Sequence, residues 1–177
     1  MNIQNLNITN VSQVDMAMLM RIVNVAYNLK ENPKPEGSKG GYLSLYGYDE
    51  KLLISVPAGD FPEEKRYSYL FNANEKVTRC LKEDIIRSFL SRDFDNGKYG
   101  GGVLLKRYAV AFSGFVELLD EAVSVVYGIY HTLRYSSGGL SDKDRIPEEV
   151  IEQCKEWQSK NAPDNPFCML LAQAVFG

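Results

Sequence analysis

The stretch Gly40-Gly41-Tyr42-Leu43-Ser44-Leu45-Tyr46-Gly47-Tyr48-Asp49-Glu50-Lys51-Leu52-Leu53-Ile54-Ser55-Val56 decides how this chain is built. Its first half alternates. Tyr42, Ser44, Tyr46 and Tyr48 fall on one side of an extended strand, Leu43 and Leu45 on the other. Tyr48 to Lys51 makes a short polar turn, and the apolar run from Leu52 to Val56 returns as a second strand. Two such runs around a few polar residues predict an antiparallel hairpin. Pro57 and Gly59 are expected to stop its second strand.

Working outward, the pattern recurs. Val103 to Leu105 and Tyr108 to Phe112 read as strands joined tightly at Lys106-Arg107, after the glycine-rich Tyr99-Gly100-Gly101-Gly102. Helical spacing fills the remainder. Ser12 and Asp15 form a capping-box-like start before Met16, Leu19, Met20, Val23, Ala26 and Tyr27. Asn32 to Gly41 holds two prolines and three glycines and reads as a loop. Pro62 with Glu63 and Glu64 opens a helix whose inner side carries Leu70, Ala73, Val77, Cys80 and Leu81. A second helical stretch runs from Glu83 to Leu90. After Ser113-Gly114 comes the strongest helix, with Leu118, Ala122, Val125, Val126, Ile129 and Leu133 as its stripe. A helix from Pro147 to Lys160 and a short apolar segment from Phe167 to Phe176 end the chain. Hairpins joined by helices predict an α+β fold: a mostly antiparallel sheet of two or more hairpins flanked by helices. The expected division is a domain over 1–134 and a helical extension over 135–177 packed on it.

Composition removes several functions. The chain has 177 residues, the size of one domain. Lys and Arg number 20 against 23 Asp and Glu, with a pI near 5.3, so no basic field exists to hold nucleic acid. The N-terminus lacks the basic and apolar regions of a secretory signal, and no apolar run reaches the ~20 residues of a membrane span. Cys80, Cys154 and Cys168 show no C-x-x-C spacing and read as reduced, buried thiols of a cytoplasmic protein. One histidine, His131, confines any Ser-His or Cys-His catalysis to its surroundings, and no complete catalytic group is visible there. Asp93 to Gly97 begins like a calcium loop but has Lys98 and Leu104 where glycine and an acid belong. The glycines at 100–102 lack the G-K-[ST] ending of a phosphate loop, so their expected role is close backbone approach or positive φ.

From Gly101-Gly102 to Tyr127 a longer pattern emerges. Gly-Gly, a strand, Lys106-Arg107, a strand, Ser113-Gly114, then Leu118, Asp120, Glu121 and Ala122 resembles the GlcG type of domain, also called the haem-degrading or HbpS-like family. The earlier half is similar in order: capped helix, Gly-Gly, a hairpin with Asp49 in its turn, then helix. The resemblance covers roughly 11–131. The family's second hairpin commonly turns on Asp-Gly, where this chain has Lys106-Arg107, and its glycine-rich strand is here Tyr108-Ala109-Val110-Ala111-Phe112. The resemblance implies a sheet flanked by helices, self-association into a homo-oligomer, and a small ligand such as haem or a corrinoid.

The candidate ligand residues follow. His131, near a helix end, offers an imidazole nitrogen to haem iron, or sits close to orphan carbonyls as an ordinary helix-end residue. Tyr67, Tyr69 and Tyr99 are alternative phenolate donors. Gly101 lies in a loop that would wall a pocket. The stripe Tyr42, Tyr46, Tyr48 suits a flat ligand, a covering helix or a second subunit. Glu117, Asp120 and Glu121 fit the first turns of a helix, where its dipole favours acids. The expected function is a small-ligand-binding or sensor-like protein, with cofactor site Tyr42, Tyr46, Tyr99, Gly101 and His131. The alternative is an interaction module that self-associates through the tyrosine face.

Overall fold

A computed structural model describes residues 14–29, 38–48, 51–136 and 146–177. The elements run α1 (Met16–Asn28), β1 (Lys39–Gly47), β2 (Leu52–Asp60), α2 (Arg66–Glu83), β3 (Gly102–Leu104), β4 (Tyr108–Ser113), α3 (Glu117–Ser136), α4 (Ile146–Asn161) and α5 (Phe167–Phe176). The fold is α+β. Four strands form one antiparallel sheet in the order β2-β1-β4-β3. The hairpin register pairs Leu43 with Val56 and Gly47 with Leu52.

Alternation in the strands assigns the two faces. Leu43, Leu45, Val110 and Phe112 enter the main core with Leu19, Ile22, Val23 and Ala26 of α1 and the buried stripe of α3. On the other face, Ser44, Ala109 and Ala111 meet α2, where Val77 packs on the two alanines. Small residues on β4 allow this helix to approach the sheet closely. Ser44 and Ser55, paired across β1 and β2, both donate to Asn74 Oδ1 of α2, at 2.6 and 2.7 Å. Helices α4 and α5 contribute Val150, Cys154, Phe167, Cys168, Leu171 and Val175 to the same core as α1 and α3. No helix among the described residues is long and apolar enough to cross a membrane.

Four expectations change. Strand β2 runs through Pro57 to Asp60. It is an edge strand, and there a proline can keep its missing N–H on the unpaired side. Asp15, not Ser12, caps α1, accepting from the Met18 N–H at 2.9 Å; Ser12 lies outside the described residues, as does Asp49. Met16 and Met20, expected on the inner stripe of α1, are exposed, and Met20 Sδ accepts from the Gly59 N–H. Helix α2 ends at Glu83, where Asp84 turns left-handed at φ 51°. The expected helix to Leu90 is a short 3-10 turn at Ser88–Ser91. Just before it, Arg87 bridges to Val103 and the Leu104 N–H donates to Ile86 O at 2.9 Å, which covers the β3 edge.

Candidate functional site

The densest polar chemistry lies where α3 begins. Asp120 and Glu121 are adjacent, so their side chains leave the helix about 100° apart and reach different neighbours. Asp120 Oδ2 accepts from Lys76 Nζ of α2 at 2.8 Å, and both side chains are almost fully buried. The same ammonium donates to Phe112 O at 2.9 Å. Asp120 Oδ1 accepts from the Phe115 N–H at 2.8 Å, tying the entry of α3 to its own first turn. Burial pushes the Asp120 carboxyl up to about 6, against the opposing pull of Lys76. It is therefore still ionised at neutral pH.

Glu121, fully buried, receives Arg87 through both oxygens, at 2.9 and 3.0 Å. Arg87 also donates to Asp164 Oδ1 at 2.8 Å and Asn161 O at 3.1 Å. Asn165 Nδ2 donates to Glu121 Oε1 and to Leu118 O. The pair thus joins the α2–β3 connection to α3 and to the α4–α5 link. Ser124 Oγ accepts from the Phe112 N–H and faces Gly101 O and Asp120 O at 2.7 and 2.8 Å. Glu117 accepts from the Gly100 N–H and from Arg92. First-turn dipole placement was the expected reason for these acids, but specific partners hold each of them. With every carboxylate engaged, the cluster performs structural work.

Gly101 belongs to this cluster. Its φ is +113°, and a Cβ there would lie 2.6 Å from Asp120 Cβ and 3.0 Å from Lys76 Nζ. The glycine lets the backbone press on the buried ion pair; it does not wall a ligand pocket.

The other expected cofactor residues do not converge. Tyr42 is buried under α2, against Phe61 at 5.5 Å between ring centroids. Tyr46, half-buried on the same face, meets Tyr48 edge-on. Of the three occupants the tyrosine stripe suits, it therefore receives the chain's own covering helix and not a flat ligand at Tyr42 and Tyr46. Tyr99 sits outside, beside Phe94. His131 lies across the sheet, on the α3 side. It lies more than a turn short of the helix end, because α3 continues to Ser136, and the ring is fully buried. Tyr108, Tyr127 and Tyr135 surround it, with centroids 4.8, 5.8 and 4.7 Å away. Among the described residues both ring nitrogens lack a hydrogen-bond partner, and burial lowers the imidazole to about 4. Residues on opposite sheet faces cannot hold one haem, so the set does not fit that group.

The thiols offer no alternative nucleophile. All three are free and buried, and desolvation raises Cys80 to about 12 and lifts Cys154 and Cys168 as well. Among the described residues, no group of His, Cys, Asp or Glu could hold a metal ion.

One concavity combines several elements with an unsatisfied polar group. A groove of about 410 Å³ runs between α3 and α4 beneath the β3–β4 turn. Its apolar walls are Leu105, Ile129 and Trp157, and Lys106 and Lys160 also line it. Trp157 is nine-tenths buried, and its Nε1–H finds no acceptor among the described residues. A larger depression, about 570 Å³, has only five described lining residues, all from α4 and three of them glutamates. Sequence reading placed Trp157 within a helix from Pro147 to Lys160. It missed the groove, because Lys106, Ile129 and Trp157 meet only in three dimensions.

Comparison of the chain with protein-family models, curated proteins and solved structures finds no match.

Proposed function

We propose that this protein is a small-ligand-binding module without a catalytic centre of its own, with its ligand seated in the α3–α4 groove. The observation that carries this reading is the groove's own lining: Leu105, Ile129 and Trp157 give it apolar walls from three elements, and Lys106 and Lys160 add charge at its edge. Ligand sites characteristically pair apolar walls with a few placed polar groups. Elsewhere the large buried charges are matched, as at Asp120 and Glu121. The resemblance to GlcG-type domains supports a small ligand as well. Haem is not the ligand this groove favours: its described walls present no His, Cys, Met or Tyr, the usual axial donors.

Trp157 is the only tryptophan, so its indole gives a single, unambiguous signal in a 15N-correlated proton spectrum. Screening a fragment library against that signal should yield saturable, mutually competitive shifts. Thr132→Phe, which fills the groove from α3, should abolish them while leaving the remaining spectrum folded. A library that moves the indole nowhere, or one whose binders survive the filled groove, overturns the reading.

A further inference from the structure

Resting on that reading, we infer that the groove selects an anion with a flat apolar body, such as an aromatic carboxylate. Two features of the groove point to this class.

The first is the shape and character of its walls. Leu105 comes from the end of the β3–β4 hairpin, Ile129 from α3 and Trp157 from α4. An indole and two aliphatic side chains form a surface best covered by a planar ring, since aromatic faces gain most from close stacked or edge contact.

The second is the placement of charge. Lys106 stands in the turn closed by the Leu105 N–H to Tyr108 O bond of 2.8 Å, and Lys160 lies in the last turn of α4. The two ammonium groups thus approach from different elements. Neither has an ion-pair or hydrogen-bond partner among the described residues, whereas Lys76 and Arg87 are fully engaged. Glu156 also lines the groove, so one acid offsets one of the two cations and a single net positive charge remains. That balance suits a monoanion better than a polyphosphate.

The experiment follows the Trp157 indole signal while 2-naphthoate and its neutral counterpart 2-naphthamide are titrated separately. The two probes share a ring and differ in charge. The expected result is saturable binding of 2-naphthoate, roughly tenfold tighter than 2-naphthamide. In Lys106→Gln/Lys160→Gln, both exposed positions, 2-naphthoate should weaken to the level of 2-naphthamide. Equal affinity of the two probes for the unmodified protein overturns the anion inference and leaves the groove as a ligand site. Failure of both probes, with library fragments still binding, overturns the flat-body class. Failure of probes and library alike overturns the site.

Discussion

Helix α3 buries titratable side chains near both ends. Near its start, Asp120, Glu121 and Ser124 are each met by partners from α2, the α2–β3 connection, β4 or the α4–α5 link. Toward its end, His131 is equally buried and meets only tyrosine rings. The difference follows from what each group can do when desolvated. Arg87 cannot shed its proton, so its buried charge must be paired. An imidazole can become neutral near physiological pH, so it can be buried without a counter-charge. The start of α3 is therefore held by directed bonds between distant segments, and its end by packing.

Removing a partner at the start should cost most. Arg87→Ala leaves Glu121 buried without its cation and should lower stability by about 3–5 kcal/mol, read from urea unfolding midpoints. A loss below about 1 kcal/mol would mean that the pair contributes little beyond its own desolvation.

The next effect lies at the other end. His131 titrates at about 4 in the folded chain, against about 6.5 unfolded. The folded state thus binds fewer protons between these values. The stabilisation tied to neutral His131 is complete above about pH 6.5 and is lost as pH falls toward 4, by roughly 3 kcal/mol in all. Asp120, raised to about 6, works in the opposite sense: its contribution is full below about 3.8 and is lost as pH rises through 6. The informative quantity is therefore the difference between unmodified protein and His131→Phe, which should grow in favour of the variant as pH drops. A difference that stays flat from pH 7 to 4 would show that His131 is not neutral and desolvated.

The smallest of the three effects returns to the start of α3. Lys76→Met removes the ammonium beside Asp120, but a carboxyl already at about 6 can take up a proton instead. The expected cost is about 2 kcal/mol at pH 8, shrinking toward pH 5 as Asp120 becomes neutral. A loss equal to that of Arg87→Ala at every pH would erase the distinction between the two pairs.

Much of the architecture was legible. The alternation of Tyr42, Ser44 and Tyr46 against Leu43 and Leu45 placed a hairpin, and the stripe from Leu118 to Leu133 placed α3. Failures came where a local signal depended on neighbours. Pro57 stops a strand only if both edges of that strand are paired, and β2 is paired on one. Asp120 and Glu121 looked like dipole-favoured acids because their cations lie 44 and 34 residues away in the chain. No spacing rule connects positions so remote. Lys76 and Arg87 were therefore missed, although each is as buried as the core leucines. The same holds for the α3–α4 groove.

The sequence by itself determined the α+β class, the two hairpins, the close backbone approach at Gly101 and the slightly acidic net charge, because periodicity, glycine and charge act locally or as sums. Only the tertiary structure decided that the tyrosine stripe lies under α2, that His131 sits across the sheet from it, and that Trp157 lines a groove with two lysines. Those outcomes depend on which elements pack against each other, a choice made by contacts far apart in the chain.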